Sequence, residues 1–323
     1  MRFLRTAAVA FATTLAFAAP AHAQKTYGFG TSPPGAFYYS AGTVIAKAFI
    51  EKSGLQMRTQ PYGSPSQFIP IIDRGELDFG ISNVFELVWA VRGDEFYSGH
   101  PARNLRMIAV MAPLRSAIYA RKDSDIRTLK DLKGRAIPTG YVSQPIIPPI
   151  IEAWLEIAGL TMKDIKSVPV PNVVRGADEF AAGRTDVLMF ALGAAKVQEV
   201  ATIVGGVRML DVPNTPANNA IVAKHLPFSY IRIEQPSPNL VGVDEPGGVV
   251  AYDTAVFASD QVDDNAAYQM AKALFNAEAD LKQGFKGLEE FTRAHMVQRL
   301  DPAQYHPGAI KFYTEMGMWP PKS

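Results

Sequence analysis

Two long β-rich runs constrain the fold more than any other feature of this sequence. LRMIAVMAPLRSAIYAR occupies residues 105–121, and GGVVAYDTAVFAS occupies 247–259. A strand in a compact domain is usually five or six residues long. The first run, broken only at Pro113, predicts a strand that crosses from one lobe to another. The second predicts the return crossing. Two crossings divide the chain into one lobe of residues 24–113 plus 249–323 and a second lobe of residues 114–248. The length of 323 residues suits two lobes better than one simple domain.

The segments between the crossings predict α/β lobes. KTYGFG reads as a strand, and YYSAGTVIAKAFIEKSG as a helix with Ala41, Val44, Ile45, Ala48 and Phe49 on one face and Gly54 as its stop. QMRTQPYG is a second strand and turn. PSQFIPIIDRGE is a short helix bent or started at Pro70, and LDFGIS a third strand. This strand–helix–strand rhythm predicts a parallel sheet covered by helices. In the second lobe a helical turn and a strand fall within SDIRTLKDLKGRAIPTG. IIPPIIEAWLEIAGL is a helix with Pro148 and Pro149 in its first turn. IKSVPV and TDVLMFALG are strands, separated by a helix near 175–182. Residues 213–246, rich in proline, read as irregular. Ser259 or Asp260 is expected to cap a helix running to about Lys282. Two such lobes leave a ligand cleft, and ligands of open α/β sheets bind where helix N-termini point.

Residues 1–23 have the pattern of an export signal: Arg2 and Arg5, the apolar stretch TAAVAFATTLAFAAP, then AHA as a cleavage site. Cutting after Ala23 removes two of 32 basic residues and leaves 30 against 31 acidic ones. A near-neutral chain starting at Gln24 gives no electrostatic basis for binding nucleic acid or an anionic membrane. The reading is a soluble periplasmic protein, working as a monomer. The absence of cysteine excludes disulfides, thiolate metal sites and cysteine nucleophiles.

Catalytic patterns are weak. His100, His225, His295 and His306 lack metal-ligand spacing. No G-x-S-x-G elbow occurs, and no serine has an evident base. GFGTSPPG, with glycines at 28, 30 and 35, is neither a dinucleotide fingerprint nor a P-loop, so no cofactor is expected. Thr31, Ser32, Tyr38 and Tyr39, clustered there, are hydroxyl donors beside a helix start and suit a carboxylate, but taken alone the stretch reads first as a plain strand–turn–helix connection. Arg115, in the first crossing, and Arg175, at a helix start, are guanidinium forks for a ligand acid or else surface ion pairs. Phe190 is an apolar contact or a core residue.

GTSPPGAFYYSAG resembles the opening motif of the TAXI-type solute receptors of TRAP transporters, with Gly30, Thr31, Gly35, Tyr38, Tyr39 and Gly42 at the matching places. YGSPSQFIPIIDRGELDFGISN, YARKDSDIRTLKDLKGRAIPTG, AAGRTDVLMFALGA and the closing HPGAIKFYTEMG continue the resemblance along the chain. It implies a type II periplasmic-binding-protein fold, in which two α/β lobes joined by two crossing strands close on a small organic anion. The implied ligand is a C4–C5 carboxylate such as glutamate, a dicarboxylate or a 2-oxoacid, delivered to an ion-driven TRAP permease. The implied site draws Thr31, Ser32, Tyr38, Tyr39, Ser64 and Asn83 from one lobe, and Tyr141, Ser143, Gln144, Arg175 and Phe190 from the other, with Arg115 at the hinge. Three departures bear on specificity: GYVSQPIIPP replaces a G-S-G-T-like loop, SNVFE replaces a glutamine–serine–aspartate, and Arg175 stands where an acidic residue is usual. They suit a ligand with a second acidic group, or a bulkier one touching Tyr141 and Phe190. The alternatives are a receptor of an ATP-driven importer, a periplasmic sensor for a bulkier or aromatic acid, and a secreted enzyme on the same scaffold.

Overall fold

The computed structural model describes residues 25–321. The export signal, its cut after Ala23 and the start at Gln24 lie outside the described residues. The chain opens with β1 (Thr26–Thr31), α1 (Phe37–Ser53), β2 (Gln56–Pro61), α2 (Pro65–Asp73), β3 (Phe79–Asn83) and α3 (Val84–Arg92). β4 (Leu105–Arg121) crosses to β5 (Ala136–Gly140), α4 (Ile147–Ile157), β6 (Lys166–Val170), α5 (Val173–Ala181), β7 (Val187–Ala191), α6 (Ala195–Val204), β8 (Val207–Met209), α7 (Pro216–His225) and β9 (Ser229–Glu234). β10 (Gly247–Ser259) returns to α8 (Asp264–Asn276), α9 (Glu278–Gly284) and α10 (Pro307–Glu315).

The main sheet runs β2-β1-β3-β10-β4-β7, with β8 added on β4 and β9 on β10. β1 is parallel to both β2 and β3, as the opening rhythm predicts. β5 and β6 form a separate parallel pair. The two long runs are the predicted crossings, and they also pair with each other. β10 pairs with β9 over residues 247–252 and with β3 over 254–258. β4 pairs with β10 up to Ser116 and with β7 from Ser116 to Ala120. The changeover lies where Pro113 faces Asp253, next to a register shift between Asp253 and Ala255. Proline brings no N–H to a ladder, and a bulge bends and twists the strand that carries it. One strand pair therefore serves two α/β lobes.

The main buried cluster runs from the β1–β3 end through β4 and β10 into β5 and α4. α1 packs against β1, β2 and β3, α8 against α1 and β4, and α10 against α8 and β4. α1 turns Ala41, Ile45, Ala48 and Phe49 inward at helical spacing and ends on Gly54, whose φ of 73° lets its N–H reach Ile50 O. At the other end Tyr119, Phe180, Leu188, Phe190 and Val200 form a second cluster between β4, β7, α5 and α6.

Several local expectations need correction. α2 starts at Pro65 and carries Pro70 inside it. Residues 213–246 are not irregular throughout. Thr215 caps α7 by accepting from Asn218 N–H, Pro216 fits its first turn, and β9 follows. Ser259 is the last residue of β10, with its N–H on Asp78 O, and Asp263 is the cap of α8. That helix stops at Asn276, and α9 is a separate piece. α3, α6 and β8 had no clear signal in the sequence. In α3, Val84 to Ala90 are all buried, which erases the amphipathic period.

Candidate functional site

Where β4 and β10 change partners, the two lobes close on a small cavity of about 40 Å³. Ser32 comes from the turn after β1, and Ala36, Phe37 and Tyr38 from the start of α1. Ser116 stands on β4 and Tyr252 on β10. The opposite lobe supplies Gln144, Ile146 and Ile147 before and at the start of α4, Val173 at the start of α5, and Met189, Phe190 and Ala191 from β7. Its hydrogen-bonding side chains are Ser32, Tyr38, Ser116, Gln144 and Tyr252, and no charged side chain lines it.

Three helix starts meet at this cavity, and helix starts carry N–H groups without intrahelical partners together with a partial positive charge. They are not equivalent. α4 has Pro148 and Pro149 in its first turn, which removes two N–H donors. α5 is capped by Asn172, and its Val173 N–H donates to Gln144 Oε1 at 3.1 Å. α1 has Ala36 as its cap residue and no side-chain cap. The start of α1 is the end best able to receive an anion's oxygen.

The polar side chains add donors. The Tyr38 hydroxyl is buried and makes no hydrogen bond of good geometry, although the Asn83 side chain lies beside it. Burial pushes its phenol well above the ordinary range, so it stays protonated. Tyr252 is likewise raised by burial and hydrogen-bonds with Ser116. With Gln144 Oε1 held by Val173, the Gln144 amide nitrogen is left as a donor.

Behind Tyr38 lies a buried carboxylate. Glu86, on α3, is fully buried. Its Oε1 accepts from Ser66 Oγ at 2.5 Å and Tyr97 Oη at 3.2 Å, and its Oε2 from Ser82 Oγ at 2.7 Å and Asn83 Nδ2 at 3.2 Å. Burial raises its pKa and these donors pull it back, with burial the larger effect. Ser66 and Tyr97 also line a wider outer cleft of about 630 Å³, together with Asp73, Arg74, His100, Val142 and Ser143. Glu86 thus stands between the outer cleft and the inner cavity.

The structure brings Ser32, Tyr38, Gln144 and Phe190 together in the inner cavity and puts Ser143 in the outer cleft. Asn83 is held behind Tyr38, where its Oδ1 caps α3 on Glu86 N–H. Thr31 is buried, with Oγ1 on Gln60 O at 3.5 Å, and lines neither space. Tyr39 is half-buried on α1, and Ser64 is buried at the start of α2 with its hydroxyl unpartnered; neither lines the two spaces. Tyr141 is wholly buried at φ 47°, an unfavourable conformation for a bulky residue, and its hydroxyl lies near Gly176 rather than in the cavity.

Both arginines are elsewhere. Arg175 is exposed and paired with Asp178 at 3.0 Å. Arg115 is buried and caged by Glu234 at 3.1 Å, Glu290 at 3.3 Å and Glu289 at 3.6 Å. Arg115 is committed to carboxylates within the protein, and Arg175 lies outside both spaces. Sequence reasoning missed Ser116, Tyr252, Met189 and Glu86. The first two carried a usable signal, since they stand close to Pro113 and Asp253 in the crossing runs.

Solved structures share this architecture. One, described as a periplasmic transporter, matches with a TM-score of 0.58 at 13% identity, covering 92% of this chain and 94% of that one. Another, PhnD1 from Prochlorococcus marinus (MIT 9301) in complex with methylphosphonate, matches with a TM-score of 0.50 at 13% identity, over 91% and 99% of the two chains. At such identities the likeness establishes the two-lobed periplasmic-binding-protein fold. A family model for the NMT1-like family matches residues 29–317, which span both lobes and every element of the cavity wall, and the chain belongs to that family.

Proposed function

We propose that this protein is an extracytoplasmic receptor that captures a small organic acid between its lobes and hands it to a membrane transporter. The observation that carries this reading is the start of α1, without a side-chain cap, at a cavity lined from both lobes to which Tyr38 brings a buried hydroxyl with no hydrogen bond of good geometry. Ligand contacts from both sides favour the closed form, so binding shifts an open–closed equilibrium. The changeover between β4 and β10 supports the expected division into one lobe of 24–113 plus 249–323 and a second of 114–248. Among the described residues no helix is long and apolar enough to cross a membrane. The export pattern at the N-terminus supports a periplasmic location. The TAXI-like opening and closing motifs favour an ion-driven TRAP permease and a C4–C5 acid.

Thermal shift and calorimetry of the chain starting at Gln24, against carboxylates, amino acids and sugars, test the ligand class. A melting-temperature rise with acids supports the reading, because a ligand that binds the native state stabilises it by mass action. A rise with sugars alone refutes it. Uptake in cells then tests the partner. Loss of uptake on collapsing ion gradients supports the TRAP assignment, and loss on depleting ATP alone assigns the receptor to an ATP-driven importer.

A further inference from the structure

The cavity wall also bears on which acid is taken, given that the protein is an acid receptor as proposed above. We infer that the cleft selects a monoacid with an apolar body and rejects a second acidic group. The inner wall holds no charged side chain. The two arginines that could meet a second carboxylate are committed, Arg115 to three glutamates and Arg175 to Asp178 at the surface. In the outer cleft Arg74 pairs with Glu76 at 2.7 Å, and Asp73 lies on the same wall. The donors between the two spaces are committed too, because Ser66, Ser82, Asn83 and Tyr97 all donate to Glu86. At that boundary a second carboxylate meets hydroxyls already donating to a buried acid, and the outer cleft's other polar groups, Gln67, His100 and Ser143, stand beside Asp73 and the Glu76-paired Arg74.

The free donors match a single carboxylate. Tyr38 Oη, Ser32 Oγ and the Gln144 amide nitrogen can each donate to an oxygen, and α1 adds backbone N–H groups. Two carboxylate oxygens offer about four lone-pair sites, which this set can fill. The same cavity is lined by Leu114, Ile146, Ile147, Met189 and Phe190. These bury an apolar body favourably and give a charged group no partner.

Calorimetry of the chain starting at Gln24 tests this with matched ligands: monoacids from butanoate to 4-methylpentanoate and phenylacetate, the diacids succinate and glutarate, glutamate, and 4-methylpentanamide. The expected result is a monoacid binding at least about 100-fold more tightly than glutarate or glutamate, the ratio set by leaving a buried charged group unpaired. Tyr38→Phe is expected to weaken the best monoacid about tenfold, and Ser32→Ala serves the same purpose should the first variant fold poorly. Glutarate or glutamate binding as tightly as the best monoacid would overturn this inference and leave the acid-receptor reading standing. Binding of the amide as tightly as its acid, or of no acid at all, would overturn both.

Discussion

Replacing Arg115 with methionine tests whether this side chain belongs to the hinge rather than to the ligand. Its side chain is 4% exposed and contacts Glu234, Glu289 and Glu290, so the cluster joins β4 and β9 to the segment after α9. The magnitude follows from which carboxylates lose a partner without gaining water. Glu289 and Glu290 are 39% and 35% exposed and can hydrate. Glu234 is 4% exposed and cannot. Removing one partner of a buried pair costs about 3–5 kcal/mol. Glu234 keeps Arg232 at 2.7 Å, so the lower end, about 3 kcal/mol, is expected. Methionine refills much of the volume and adds less than about 1.5 kcal/mol of packing loss. Removing both buried charges, in Arg115→Met with Glu234→Met, is expected to recover to within about 1 kcal/mol of wild type, since well-packed apolar replacements of a buried pair are often neutral. Urea unfolding of the two single variants and the double variant gives the coupling energy directly. A single-variant loss below about 1 kcal/mol, or a double variant as unstable as the sum of the singles, would refute the argument.

Other expectations follow from the same geometry. Tyr38→Phe removes a buried hydroxyl that has no good partner, so it should leave stability unchanged or raise it by up to about 1 kcal/mol while ligand affinity falls; lost stability on urea unfolding would mean the hydroxyl is already satisfied. Arg175→Ala breaks only an exposed pair, so calorimetry should show unchanged affinity and unfolding a loss below about 0.5 kcal/mol; weaker binding would return Arg175 to the site. His295 is raised by its hydrogen bond to Asp253 at 2.9 Å, so its stabilisation is complete below its unfolded pKa near 6.5 and is lost as pH rises through the higher folded value. The melting-temperature difference between wild type and His295→Asn should therefore shrink from about pH 5.5 to about pH 8.5, and a constant difference would contradict the pairing.

The crossings were legible because strand length is a property of contiguous sequence, and 17 residues from Leu105 to Arg121 exceed what one small lobe uses. Helix starts were legible for the same reason, through Pro148 and Pro149 or the polar turn before α1. The arginines were not. Arg115 finds Glu234 and Glu290 at separations of 119 and 175 residues, and nothing local announces either partner. Glu86 was invisible as well, since its donors come from α2, β3 and the turn at Tyr97, and α3 shows no polar face to mark it. Proline hid α7 and β9, because Pro216 in a first turn looks in sequence like a chain break.

The placement of charge in this cleft has a physical rationale. At about 40 Å³ the cavity is smaller than the acids proposed for it, so the lobes must stand further apart both to admit a ligand and to close on it. Any group on the wall must therefore be satisfied twice, by water when open and by ligand when closed. A hydroxyl or a helix N–H exchanges one oxygen for another at a net difference of about 1 kcal/mol. A guanidinium facing the cavity would have to be stripped of water at each closure, and its desolvation costs several kcal/mol unless the ligand's geometry repays it. At the hinge, Arg115 meets its carboxylates within the protein. The chain keeps its strong charges where partners are permanent and meets the ligand with groups that tolerate exchange.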